Sequence, residues 1–117
     1  LSIATAIAEK HEAQALFIGV VQEDSSGYPD CTDDFIGKME NAMNQGTKEE
    51  TSLKIITPLV HMTKEQIVQK SFELDVPLQY TWSCYKNEDK ACGVCDSCRL
   101  RLNGFAKAKR VDPIDYV

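Results

Sequence analysis

No apolar run in the 117 residues approaches the roughly eighteen that a membrane-spanning helix needs, and no charged-then-apolar leader precedes a small-residue cleavage site. No membrane partner is therefore expected, and the cytoplasm is the default location. An excess of basic charge is missing too. The formal net charge of -5 argues against a protein whose main task is to coat a phosphate backbone. Histidine is scarce, with two in the chain, and His11 stands alone as a surface or helix-end residue rather than a ligand. Internal repeats and low-complexity linkers are absent. What remains, 43% hydrophobic and 26% charged residues over one domain's length, is ordinary globular composition.

Cysteine is the departure. Four of the five lie within fifteen residues, as Cys84, Cys92, Cys95 and Cys98, in the spacing C-x7-C-x2-C-x2-C. Each close pair can turn two sulfurs toward one point while the longer loop returns the first, so four thiolates close a tetrahedron around Zn2+ at about 2.3 Å per bond. Gly93 suits the tight turn between the second and third ligands, because a backbone without Cβ takes positive φ freely. Cys95 and Cys98 would share one face at the start of a helix, where the N-terminal dipole favours thiolate.

Two alternatives stand beside zinc. Disulfides must contend with an odd cysteine count, and C-x2-C-x2-C is cramped for bridges. An iron-sulfur cluster shares the C-x2-C-x2-C run, but ferredoxin-type runs continue to a further Cys-Pro, where this chain has Arg99-Leu100-Arg101-Leu102. Ligand type and spacing favour zinc. With all four positions filled by protein, none is open for water or substrate, so the metal is expected to be structural. Lys86, Lys90, Arg99 and Arg101, neighbours in sequence, would offset the negative excess of four thiolates.

Ahead of the cysteines the pattern alternates helix and strand. Ser2 can cap a first helix with Ile3, Ala6 and Ile7 at helical spacing, ending near His11. Residues 15–20, Ala-Leu-Phe-Ile-Gly-Val, form a continuous apolar run that suits a strand buried on both faces of a parallel sheet. The polar loop at 22–31 lies beyond that strand's carboxyl end, where open α/β sheets bind ligands. In it Asp24, Ser26, Tyr28 and Asp30 offer acceptors, donors and a ring, although a solvated surface loop would have the same composition. Thr32 then caps a helix with Asp33 and Asp34 in its first turn and Phe35, Ile36, Met39 and Met43 as its buried stripe, stopped by Gly46. A second strand at 53–57 ends at Pro58.

Thr63 and Gln66 predict a capping box for a third helix with Ile67, Val68, Ser71 and Phe72 facing inward. Lys64, in its first turn, works against the helix dipole unless its ammonium and the exposed N–H groups jointly receive an anion such as phosphate. Many such lysines simply reach solvent. The last helix, about 95–109, should place Leu102, Phe105 and Ala106 on one side with Cys98, and residues 112–116 read as a terminal tail. The run 99–110 carries Arg99, Arg101, Lys107, Lys109 and Arg110 with no acid between. That run offers a rival function, a zinc-stabilised nucleic-acid-binding module, though helix-end cations that compensate the thiolates explain it as well. The expected class is α/β, an incomplete doubly wound, Rossmann-like parallel sheet over 1–80 followed by a helical zinc-binding lobe over 81–117. Two parallel strands alone are hard to stabilise, so the chain is expected to be the second half of a longer domain or to borrow strands from a partner.

Four ordered motifs, residues 24–31, 58–64, 81–85 and 91–98, together resemble the 7-cyano-7-deazaguanine synthase family of PP-loop ATP pyrophosphatases, in its carboxyl-terminal half. The resemblance implies an ATP-dependent ligase of queuosine biosynthesis, a tRNA-modification pathway. Its substrates would be 7-carboxy-7-deazaguanine, ammonia and ATP with Mg2+, and nucleic acid would not be a partner; a homodimer is compatible with it. It implies Cys84, Cys92, Cys95 and Cys98 as zinc ligands. By position and resemblance together, Asp24, Ser26, Tyr28, Asp30, Lys64, Thr81, Trp82 and Ser83 are candidates for substrate and nucleotide contact. No catalytic residue is assigned, and Cys31 is expected to be a plain thiol because adenylation needs no enzyme nucleophile. The family's Ser-Gly-Gly-x-Asp-Ser phosphate-binding motif does not occur in this chain, so the chain by itself is not expected to turn over.

Overall fold

Two short strands, β1 (Ala15–Phe17) and β2 (Lys54–Ile56), pair in parallel with Ala15 opposite Lys54, Leu16 opposite Ile55 and Phe17 opposite Ile56. They belong to a computed structural model that describes residues 1–22 and 28–117. Parallel neighbours need a crossover, which α2 (Asp33–Gly46) provides; α1 (Ser2–Lys10) precedes β1. The ladder is shorter than the apolar runs predicted, although Ile18 N–H still donates to Ile56 O at 3.0 Å. Phe17, expected inside, is 72% exposed and its register partner Ile56 is 38% exposed, so the face of the sheet that they share is not buried.

α2 forms for the reasons its sequence gives. Thr32 Oγ1 accepts from Phe35 N–H at 3.2 Å, Asp33 and Asp34 occupy the first turn, and Ile36 and Met43 are buried against Ile55, flanked by Phe35 and Met39. The helix continues through Gly46, and Thr47 rather than the glycine is its C-cap. Its polar residues close the outer edge of β2. Asn44 Nδ2 donates to Leu53 O and its Oδ1 accepts from Leu53 N–H, both at 2.8 Å, while Glu40 Oε2 accepts from Ile55 N–H at 2.8 Å. Leu53 is fully buried there. A strand's backbone groups point alternately to either side, and three of those that point away from β1, Leu53 N–H, Leu53 O and Ile55 N–H, are already used.

α1 corrects the sequence reading. Leu1, not Ser2, is its N-cap, and the side it buries carries Thr5 and Ala8. The predicted stripe Ile3, Ala6 and Ile7 is exposed.

Residues Leu1–His61 form one unit and Met62–Val117 another. Within the second unit α3 (Lys64–Glu73) packs on α4 (Asp96–Lys107). The capping box is present at the start of α3, with Thr63 N–H donating to Gln66 Oε1 at 2.9 Å and Gln66 N–H to Thr63 Oγ1 at 3.2 Å. Val68 is buried, and Phe72 meets Phe105 edge to face at a centroid distance of 6.5 Å. On α4, Leu102 and Ala106 face outward, contrary to expectation. The inward positions are Cys98, half-buried Arg101, Gly104 and Phe105, a stripe with an arginine where periodicity favours the leucine. Among the described residues no helix is long and apolar enough to cross a membrane.

Gly104 is where the two helices meet most closely. A Cβ built there would stand 2.8 Å from Lys64 Cβ and 3.2 Å from the Lys64 carbonyl. Alanine would gain about 1 kcal/mol of helix propensity, but overpacking against backbone costs about 1–3 kcal/mol. Gly104→Ala should therefore destabilise the protein in urea unfolding, in spite of the better helix former; an increase in stability would show that α3 moves away freely.

Candidate metal centre

Cys95 is the N-cap of α4 and Cys98 lies in its first turn. Gly93 has φ of +69°, the left-handed turn that lets the chain double back between Cys92 and Cys95. Cys84 comes in from the preceding segment. The four sulfurs lie within 4.8 Å of one another. A tetrahedral tetrathiolate with bonds of about 2.3 Å has edges of about 3.8 Å, so modest closure brings all four onto one ion. All five cysteines are free of disulfides.

The donor set is prepared for charge by backbone rather than by side chains. Cys84 Sγ accepts from the N–H groups of Lys86, Asn87 and Cys92, each at 3.4 Å, and Cys92 Sγ accepts from Cys95 N–H at 3.3 Å. The Cys92 amide, aided by those of Lys86 and Asn87, outweighs burial and draws the Cys84 thiol down to about 6. Amides at Tyr85 and Cys98 lower Cys95 in the same way. Burial does the opposite to Cys98, 1% exposed, and pushes it up to about 12. Four sulfurs this close cannot all carry charge unless a cation is bound, and four soft thiolate donors with no carboxylate or imidazole fit a metal ion such as zinc.

Arg101, expected to offset thiolate charge, is committed elsewhere. Its Nε and Nη2 grip both oxygens of Asp112 at 2.6 and 2.8 Å, and its Nη1 donates to Thr81 Oγ1 at 2.8 Å. Tyr116 OH donates to the same carboxylate at 2.7 Å. Burial alone would raise the Asp112 carboxyl, but the Arg101 and Tyr116 hydrogen bonds prevail and hold it below the ordinary carboxylate range. Residues 112–116, read as a plain tail, are thus part of the site: Ile114 and Tyr116 pack on the cysteine cluster. Spacing carried no signal for this, since a lone Asp eleven residues beyond an Arg has no periodic meaning.

The other candidates are distributed as follows. Asp24 and Ser26 lie outside the described residues. In the first unit, Tyr28 is about half exposed and Asp30 sits in a short 3-10 turn, Pro29–Cys31. In the second, Lys64 opens α3 and is half-buried. Thr81 Oγ1 donates to Leu78 O at 2.7 Å and accepts from Arg101, so its hydroxyl is engaged within the protein. Trp82 is 42% exposed, and the Ser83 hydroxyl is buried with no hydrogen-bond partner.

A small parallel α/β unit followed by a tetracysteine lobe that can hold a metal defines the class. The chain belongs to the family described as Queuosine biosynthesis protein QueC, whose model matches residues 1–109. It is 67% identical over 116 residues to a protein named 7-cyano-7-deazaguanine synthase from Aliarcobacter butzleri, covering 99% of this chain and 51% of that protein. Proteins of the same name from Sulfurimonas denitrificans and Nautilia profundicola are 65% and 66% identical, covering 100% and 99% of this chain and 52% of each. The chain spans about half the length of the curated relatives it matches.

Unequal thiols give a direct check. In the reduced protein freshly stripped of metal at pH 7, Cys84 should alkylate faster than Cys98, as followed by peptide mass spectrometry. Equal rates would mean that the arrangement opens when the metal leaves.

Proposed function

We propose that this chain is the carboxyl-terminal half of an ATP-dependent ligase that makes 7-cyano-7-deazaguanine from 7-carboxy-7-deazaguanine and ammonia in the cytoplasm. The observation that carries the reading is the 67% identity over 99% of the chain to a relative bearing that enzyme's name. In this chemistry the substrate carboxylate attacks the α-phosphorus of ATP and expels pyrophosphate, and ammonia displaces AMP to leave an amide. The amide oxygen attacks the α-phosphorus of a second ATP and expels a second pyrophosphate, and loss of AMP and two protons leaves the nitrile. Positioning and stabilisation of the departing pyrophosphate supply most of the rate in such reactions.

Zinc, held by Cys84, Cys92, Cys95 and Cys98, is structural in this reading, since four thiolates leave it no open position. Mg2+ accompanies ATP in the whole enzyme. Lys64 at the first turn of α3 takes a phosphate group. Ser83, with its unpaired buried hydroxyl, and Trp82 contact the deazapurine, while Thr81 contributes through the segment it holds. Asp24, Ser26, Tyr28 and Asp30 complete the contacts from the first loop.

The edges of the sheet support the larger doubly wound fold of PP-loop enzymes. Asn44 and Glu40 take backbone groups on the outer side of β2, whereas β1 has no strand on its other side among the described residues and exposed Phe17, Ile3 and Ile7 belong to β1 and α1. Added strands would therefore join at β1. The nucleic-acid-binding alternative finds less support, because Arg101 is spent on Asp112 and Arg110 lies over the Phe72 ring at 4.7 Å.

Joining this chain to the amino-terminal half of the Aliarcobacter butzleri relative tests the reading. The joined protein should form the nitrile with ATP consumed, and the chain alone should not. A folded, zinc-loaded joined protein without nitrile formation would contradict the function. Within an active joined protein, Lys64→Ala should raise the KM for ATP about tenfold or more, the loss of one charge-assisted phosphate contact; an unchanged KM and kcat would remove Lys64 from the site.

A further inference from the structure

The cysteines stand on three stretches of chain: Cys84 after the 81–83 segment, Cys92 after Ala91, and Cys95 with Cys98 at the start of α4. One buried carboxylate is tied to all three. Asp112 receives both arms of Arg101, which stands on α4 three residues beyond Cys98. Through that guanidinium it reaches Thr81 Oγ1, three residues before Cys84, and Leu78 O at 3.4 Å. Through the Tyr116 hydroxyl it fixes the tail, whose backbone brackets the cysteine loop: Ala91 N–H donates to Asp115 O at 2.8 Å and Val117 N–H to Ala91 O at 3.0 Å. Ile114 N–H adds a bond to Asp112 Oδ1 at 3.3 Å, and the Tyr116 ring stands 3.6 Å from where a Gly93 Cβ would lie.

We propose that Asp112 is a positioning residue for the metal centre and that residues 112–117 form a strap holding the cysteine loop closed against metal exchange. This rests on the metal-binding reading above. The side chains of Asp112 and Arg101 are 3% and 13% exposed. A buried ion pair is a poor source of net stability, because apolar residues of similar volume often serve as well. What the pair supplies that apolar residues cannot is direction. A planar fork aims two N–H groups at one carboxylate and a third at Thr81, so the three segments are held in one arrangement. Ala91, fully buried beside Cys92, and Tyr116 close the loop from outside. For a bound ion to leave, Cys84 or Cys92 must swing away from α4, and both movements pull on this network.

The test is the rate at which the zinc-loaded full-length protein gives up its metal to a chromophoric chelator in excess. Asp112→Asn keeps the shape and removes the charge, and release should accelerate about tenfold or more, the range seen when partners of metal ligands are lost. Tyr116→Phe, which leaves no charge unpaired, should accelerate it by a smaller factor. Arg101→Lys should behave like Asp112→Asn, since an ammonium cannot reproduce the fork. Val68→Ala makes a cavity in α3 away from the network and controls for lost stability; its release should stay near the wild-type rate.

Zinc-replete Asp112→Asn protein releasing at the wild-type rate would overturn the proposal. So would a Val68→Ala rate matching that of Asp112→Asn at an equal fall in unfolding midpoint. Should Asp112→Asn not fold, Tyr116→Phe decides alone, and a wild-type rate there overturns the strap. A wild-type protein that holds no zinc would instead overturn the metal reading itself, and this inference with it.

Discussion

Four sulfurs within 4.8 Å of one another set the constraint on which the second half of this chain depends. Thiolates at that range repel, and thiols at that range leave backbone amides pointing at poor acceptors. A cation removes both difficulties at once, and the structure around the cluster is arranged for it. Three amides converge on Cys84, Gly93 turns the chain back, and the N-terminus of α4 presents Cys95 and Cys98 together. Of the four cations that the sequence offers to offset the thiolates, Arg101 is bound to Asp112 instead.

The same constraint explains why the unit from Met62 to Val117 has so sparse an apolar interior. Its buried residues are mostly the cysteines with Ala91, and Val68 and Phe105 between the helices. A small core of this kind usually needs staples. Here they are of two sorts, the sulfur cluster and the Arg101–Asp112–Tyr116 network, and Tyr116 packs one against the other. The first unit solves a different problem. Polar residues of α2 take backbone groups on the outer side of β2, while no strand lies beside β1 among the described residues, and the chain spans about half the length of its relatives; both observations are compatible with the larger sheet proposed above.

Local signals were legible. Cysteine spacing, the Thr63 and Gln66 capping box, the Thr32 cap and both strands could be read because each depends on residues a few positions apart. Signals that needed the third dimension were not. Ile3 and Ile7 looked like a core stripe, since periodicity tells which residues share a face and not whether anything covers it. Leu102 was preferred over Arg101 for the interior because an arginine is buried only when a partner such as Asp112 is supplied from elsewhere. The Thr81 hydroxyl looked available for a ligand, whereas Leu78 O and Arg101 already use it; the unpaired hydroxyl is that of Ser83. The contacts of the first loop with substrate rest on resemblance and position, and Asp24 and Ser26 lie outside the described residues.

Zinc-edge X-ray absorption on the purified, untreated protein tests the central claim most directly. One zinc per chain in a shell of four sulfurs at about 2.3 Å is the predicted result. A shell containing nitrogen or oxygen in place of any sulfur, or stoichiometric iron in place of zinc, would contradict it.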